Sequence, residues 1–167
     1  MRLLPSQLHV VLEERVPYAV WQNKSALHLV DQDGTVIETL KKRTHPDLPL
    51  IVGDGAAKNA RDLLDELAHW PKVKSKVQAA IRVADRRWNL KLVNGLEIRL
   101  PEGDVARPLR KVDQLDAKHK ILSGDAVILD LRLSDRITIR LSDDSVSRRD
   151  SAFASPSRKP RRPGRDT

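Results

Sequence analysis

Two runs of alternating side chains on either side of Asn94-Gly95 constrain this chain more than any other stretch. Trp88, Leu90 and Leu92 alternate with Arg87, Asn89 and Lys91, and Leu96, Ile98 and Leu100 alternate with Glu97 and Arg99. Period two on both flanks of an Asn-Gly pair is a hairpin signal. A two-residue loop would set Leu92 against Glu97 and Leu90 against Arg99, mixing the faces. A three-residue loop, Val93-Asn94-Gly95, sets Leu92 against Leu96, Leu90 against Ile98 and Trp88 against Leu100, which leaves one apolar face. The expected turn is type I with Gly95 in the left-handed region, open to glycine without steric cost. The opposite face then carries Arg87, Lys91 and Arg99, a basic exterior.

The same reasoning runs along the chain. Leu8, Val10 and Leu12 share one face of a strand over residues 7–14, which Pro17 ends because proline cannot donate to a ladder. Short strands are expected near 18–21, 27–30 and 36–37, with Asp31-Gln-Asp-Gly34 as the turn between the last two. The apolar run Leu48–Val52 leads to Gly53-Asp54-Gly55, where Asp54 is the expected N-cap. Ala56, Ala60, Leu63, Leu64 and Leu67 then recur at helical spacing to about His69, and Pro71 is the stop. Val77–Val83 reads as a strand entering the hairpin. Asp104 is expected to cap a second helix, about Val105–Leu122, with Pro108 in its first turn.

Val127, Leu129, Leu131 and Leu133 next alternate with polar residues, as do Ile137, Ile139 and Leu141. A three-residue loop, Ser134-Asp135-Arg136, would pair Leu133 with Ile137 and Leu131 with Ile139. The last strand is terminal, so one of its edges is expected to be free. The whole reads as an α+β fold, a mostly antiparallel sheet with two helices packed on one face.

Composition bounds the function. Only 3% of the 167 residues are aromatic, so the core must be aliphatic. The net charge of +8 points to acidic partners. Part of that excess lies in Arg148-Arg149 and in Arg158-Lys-Pro-Arg-Arg-Pro-Gly-Arg165, part of a tail from Ser142 onward that reads as unstructured. The absence of cysteine excludes disulfides and thiolate metal sites. No apolar run approaches the roughly 20 residues needed to span a bilayer.

A search for chemistry returns little. His9, His28, His45, His69 and His119 include no pair at three- or four-residue spacing, so no metal site is expected. Asp31-Gln-Asp-Gly34 starts like a calcium loop but lacks the closing glutamate. Gly53-Asp-Gly-Ala-Ala-Lys58 lacks the second glycine and the Lys-Ser/Thr of a P-loop. Glu13 and Glu14 are neighbours on a strand and face opposite ways, and no serine sits in a nucleophile elbow. The expectation is a non-enzyme without a cofactor. A basic module binding nucleic acid or an anionic surface is the alternative, although the interleaved exposed aromatics expected of a nucleic-acid face are absent. Removing residues 142–167 discriminates, because that reading places the affinity in the tail.

Several motifs, taken in order, carry a family resemblance. They are Leu8-His-Val-Val-Leu-Glu-Glu-Arg-Val-Pro-Tyr-Ala-Val-Trp21, Leu29-Val-Asp-Gln-Asp-Gly-Thr-Val36, Leu48-Pro-Leu-Ile-Val-Gly53, Arg86-Arg-Trp-Asn-Leu-Lys-Leu-Val-Asn-Gly95 and Leu129-Asp-Leu-Arg132. Over about residues 3–141 the chain resembles the extracytoplasmic part of FtsQ/DivIB, a bacterial cell-division family. The resemblance implies that residues 1–17 hold the last strand of a truncated POTRA module, 18–141 a β domain and 142–167 a disordered basic tail. Met1 would then fall just before that strand, so residues 2–14 are expected to be less stable than the rest.

The resemblance also implies a non-enzymatic scaffold of the divisome, linking early and late division proteins at the septum on the periplasmic face of the inner membrane. Its partners would be FtsB-like and FtsL-like proteins, with no nucleic acid. The FtsB-like partner would add a strand to the last free edge, beside a short helical contact. Matched to this sequence, the partner-binding residues are Arg86, Arg87, Arg132, Leu133, Arg136, Ile137, Thr138, Ile139, Arg140 and Leu141. Two departures stand out. Asp85 occupies a position where some relatives have arginine, and Arg140-Leu141 replaces an aromatic late in the last strand. Proline at Thr138 should block strand addition if its N–H faces the free edge, with proline at Ile139 as the companion change.

Overall fold

A computed structural model describes residues 14–143 and Ser147. The strand expected over 7–14, apart from Glu14, and the basic tail, apart from Ser142, Asp143 and Ser147, lie outside the described residues. Among the described residues, nine strands form one sheet in the order β3-β2-β1-β4-β5-β6-β7-β8-β9. They are β1 Ala19–Asn23, β2 Ala26–Val30, β3 Val36–Leu40, β4 Leu50–Val52, β5 Val77–Val83, β6 Arg87–Leu92, β7 Glu97–Glu102, β8 Ala126–Asp130 and β9 Thr138–Leu141. The pairs β1/β4, β4/β5 and β7/β8 are parallel and the others antiparallel. Two long helices, α1 (Ala56–Ala68) and α3 (Ala106–His119), flank a short α2 (Pro71–Lys74). No helix among the described residues is long and apolar enough to cross a membrane. The α+β class expected from the pattern is the class observed.

The hairpin forms as its alternation requires. Leu92 N–H donates to the Leu96 carbonyl at 2.9 Å, Gly95 N–H donates to the Leu92 carbonyl at 3.0 Å, and Gly95 has φ +89°. Leu90 pairs with Ile98 and Asn89 with Arg99. The register then shifts, placing Arg87 opposite Glu102, so a bulge interrupts the expected Trp88–Leu100 rung. Both side chains nonetheless stay in the core.

That core explains why the helices sit where they do. Leu90, Leu92, Leu96, Ile98 and Leu100 are fully buried, as are Leu109 and Val112 of α3 and, nearly so, Leu63 and Leu67 of α1. All belong to one cluster, so α1 and α3 cover the same face of the sheet. Each such side chain contributes about 1.5–3 kcal/mol by leaving water. A smaller cluster of Val20, Leu29 and Leu40 lies apart from it, lined by Leu48 and Leu50.

Three local expectations need correction. The N-cap of α1 is Gly55 rather than Asp54, because the chain turns there through a left-handed residue with φ +70°. A Cβ on Gly55 would stand 1.8 Å from Asp85 Oδ1, so the exposed Asp85 carboxylate in the β5–β6 turn would have to swing aside to admit one, on top of the left-handed backbone that favours glycine. Pro71 opens α2 at its first position instead of merely ending α1. Asp104, by contrast, caps α3 as expected, its Oδ1 accepting the N–H of Ala106 at 2.9 Å and of Arg107 at 3.4 Å.

The third correction concerns the last hairpin. Leu129 pairs with Ile139 and Asp130 with Thr138, two residues away from the expected register. The loop therefore runs over 131–137 rather than 134–136. The reason lies in β7: Leu131 N–H donates to the Arg99 carbonyl at 2.9 Å, and β8 ends there. Asp130 then turns the chain by accepting the Arg132 N–H at 3.1 Å. Because the slip is two residues, every side chain keeps its face.

Candidate partner-binding edge

Among the described residues, β9 is one edge of the sheet and β3 the other. The two edges differ in kind. β3 exposes Val36 as β9 exposes Ile139. But β3 itself carries the extra residue of a register shift against β2, exposes Glu38 and runs straight into Lys41-Lys42-Arg43, features that discourage pairing, whereas the shift between β8 and β9 falls on β8. β9 exposes Ile139, and the neighbouring Val127 and Leu133 are also exposed.

The ladder shows which backbone groups β9 offers. Ser142 N–H donates to the Asp125 carbonyl of the β8 side at 3.1 Å. Backbone direction alternates along a strand, so Arg140 and Thr138 also address β8, whereas Ile139 and Leu141 point their N–H and C=O away from it. Leu131 N–H, aimed at β7, gives the same parity from the other strand. The condition attached to proline at Thr138 therefore fails: its N–H faces inward, and Ile139 carries the outward one.

Arg86 and the arginine of the last hairpin reach the same end of the sheet. A cavity of about 340 Å³ is lined by Arg82, Asp85, Arg86, Pro101 and Glu102, with Trp88 among its walls. A second, of about 380 Å³, is lined by Pro101, Glu102, Arg107, Lys111, Leu131, Arg132 and Ser134. Pro101 and Glu102 are common to both, so the β5–β6 turn and the loop after β8 adjoin a single trough. Arg86 is exposed in that turn, its N–H donating to the Val83 carbonyl at 3.2 Å. Leu133 is exposed, and Arg136 is an exposed residue 3.5 Å from Asp135.

Other expected site residues stand differently. The Arg132 guanidinium grips Asp130 through Nε at 2.9 Å and Nη2 at 2.6 Å. That hydrogen bond, opposed by burial and aided by the Arg132 N–H and the charges of Arg132 and Arg99, holds the Asp130 carboxyl below its ordinary value. The same bond raises Arg132. Arg132 thus reaches the trough with its charge already matched. Arg87 is half-buried at the start of β6, with Nε buried and without a hydrogen-bond partner. Ile137 packs against the core instead of standing open. On the hairpin's other face, Glu97 interrupts the expected basic exterior by accepting from Asn89 Nδ2 at 2.7 Å and Arg99 Nε at 2.9 Å.

Residues missed in the sequence are the counter-charges. Asp130 lies two positions before Arg132, on the same face of an extended chain, and that spacing was a usable signal. Lys111, whose Nζ donates to the Ser134 carbonyl at 3.1 Å, gave no such signal, since it reaches the loop from α3. Among the described residues no group of three or more His, Cys, Asp or Glu could hold a metal ion.

Comparisons with known proteins return one family. The family model for cell division protein FtsQ/DivIB, C-terminal, matches residues 19–132. Cell division protein FtsQ of Bradyrhizobium diazoefficiens is 44% identical over 153 residues, covering 92% of this chain and 45% of that protein. FtsQ of Rhizobium meliloti is 40% identical over 151 residues, covering 90% and 49%. The chain thus spans about half the length of the curated relatives it matches. The extracytoplasmic domain of DivIB from Geobacillus stearothermophilus aligns at 18% identity and a TM-score of 0.42, covering 65% of this chain and 96% of that one. On the match over residues 19–132 and on these identities, the chain belongs to the FtsQ/DivIB family of cell division proteins.

Proposed function

We propose that this chain serves the divisome as a non-enzymatic docking module, taking an added β-strand from an FtsB-like partner along β9, with an FtsL-like protein in the same assembly. The observation that carries the reading is the contrast between the two sheet edges. β9 presents the outward backbone groups of Ile139 and Leu141 beside exposed apolar side chains, while β3 is bulged and charged. Main-chain pairing supplies affinity in this mode, and flanking side chains select the partner. Arg86 and Arg132 line the trough at the end where β9 begins, with Arg87, Leu133 and Arg136 close to them along the chain. Arg86, whose charge Asp130 does not take, is the first to receive an acidic group of the partner. Ile137, Thr138, Ile139, Arg140 and Leu141 form the docking strand and its approach. The place of action is the septum, at the periplasmic face of the inner membrane.

The test is titration of the full chain with the C-terminal extracytoplasmic segment of an FtsB-like protein from the same organism. Binding by the wild type and its loss in Ile139→Pro support the reading. Equal affinity of the two proteins sinks it.

A further inference from the structure

Asp31 is the buried charged side chain among the described residues, 7% exposed. A carboxylate taken out of water needs partners that replace it. Its Oδ1 accepts the N–H of Asp33 at 3.1 Å and of Thr35 at 2.8 Å, closing the β2–β3 turn. Its Oδ2 accepts from the Arg15 guanidinium. Burial alone would raise the carboxyl's pKa, but the Thr35 N–H and Arg15 outweigh it and hold the group below its ordinary value.

Among the described residues, little else holds the stretch around Arg15. Glu14, Arg15 and Val16 are exposed, Val16 by 75%, so apolar burial does not fix this segment. Pro17 restricts the backbone on both sides of the Val16–Pro17 bond and makes the stretch stiff. The next anchor is Tyr18, whose N–H donates to the Val30 carbonyl at 2.9 Å. Its hydroxyl donates to Asp65 Oδ1 of α1 at 2.9 Å. Burial and this acceptor push that hydroxyl up to about 12, so it remains a donor.

The contacts close a ring. Arg61 of α1 lies 3.6 Å from Asp33 in the β2–β3 turn and 3.8 Å from the Asp65 that holds Tyr18. These bridges are open to solvent and individually weak. Arg15–Asp31 differs because its carboxylate is buried.

We propose that Arg15 and Asp31 form a joint that locks the chain at Arg15 to the β2–β3 turn, holding residues 14–16 at a fixed angle to the sheet. The joint stands apart from the β9 edge and does not depend on partner binding.

The absence of cysteine makes the test direct. Nitroxide labels are placed on Val16→Cys and Lys58→Cys in the full chain, and the width of the distance distribution between them is measured. It is narrow with the joint intact and broad in both Arg15→Ala and Asp31→Asn. In unlabelled protein, Thr35 and Tyr18 amides exchange about tenfold faster in Arg15→Ala, the factor expected for loss of one hydrogen bond to a charged group. Exchange of residues 90–100 is unchanged and reports an intact sheet. An unchanged width in either folded variant overturns the proposal. Should Asp31→Asn fail to fold, Arg15→Ala decides alone, since its side chain is solvent-exposed.

Discussion

Ile139 of β9 stands opposite Leu129 of β8, yet Leu129 is fully buried and Ile139 is 43% exposed. Position in the sheet makes the difference. Leu129 has β7 on its far side, while Ile139 has no strand on its far side among the described residues. Helix α3 ends at His119, leaving a cavity of about 490 Å³ lined by His119, Ile121, Ala126, Ile139 and Leu141. The edge is therefore open both in its backbone and on its apolar face.

Proline at adjacent positions of β9 should act in opposite ways. Ile139→Pro removes an outward N–H, keeps the ladder to β8 and leaves the melting temperature nearly unchanged, while abolishing strand addition. Thr138→Pro removes a donor to β8 and costs about 1–3 kcal/mol, because a ladder bond is lost and its acceptor is stranded. Urea unfolding of both variants beside partner titration checks this. A stable Thr138→Pro and an unstable Ile139→Pro would reverse the assignment of backbone directions.

Asp130 ties acid stability to the Arg132 contact. Its pKa is lowered by folding, so its contribution is complete above the unfolded carboxylate value of about 4 and is lost as pH falls through the folded-state pKa. Asp130→Asn should unfold at slightly lower urea near neutral pH, the loss being small because Arg132 is solvent-exposed. Its urea midpoint should fall less steeply than the wild type's as pH drops below about 4. Parallel curves for the two proteins would show that the pair carries no proton linkage.

Ile98 sits at the centre of the hairpin's buried face, opposite Leu90. Ile98→Ala should cost roughly 2–5 kcal/mol by leaving a cavity that packed neighbours cannot fill. Lys91→Ala, exposed on the same hairpin, should change stability by about 0.5 kcal/mol or less. Chemical denaturation of the two variants measures the contrast.

Gly55 should not tolerate a side chain. Its φ of +70° and the 1.8 Å approach of Asp85 Oδ1 act together. Gly55→Ala should cost roughly 1–3 kcal/mol or more from the strained backbone and the clash. Adding Asp85→Ala should restore the part due to the clash, leaving about 1 kcal/mol of left-handed strain. A double variant no better than Gly55→Ala would locate the whole cost in the backbone.

How far the sequence could be read depended on the range of the forces involved. Alternation in 88–92 and 96–100 is local, and one face had to be apolar, so the hairpin loop, its register and Gly95 could be read directly. Parity survived in β8 and β9 for the same reason, but the register did not. Leu131 is taken by the Arg99 carbonyl of β7, a partner 32 residues away that no pattern near Ser134 reports. The Asp54-to-Gly55 shift of the N-cap was not legible because it is set by how the chain turns from β4 into α1 through a left-handed residue.

The same division holds for the site. Arginine and apolar positions were visible as residue types, as was the terminal place of the last strand. Which charges were already matched was not visible: Arg132 is gripped by Asp130, and Arg87 is half-buried at a bulge. The sequence by itself determined periodicity, faces and the existence of an aliphatic core, because those follow from side-chain spacing along one strand or helix. Only the tertiary structure decided that β9 ends the sheet beside β8 among the described residues, that Ile139 rather than Thr138 points its N–H outward, and that Arg15 meets Asp31. Each of those depends on which distant backbone or carboxylate takes a hydrogen bond first.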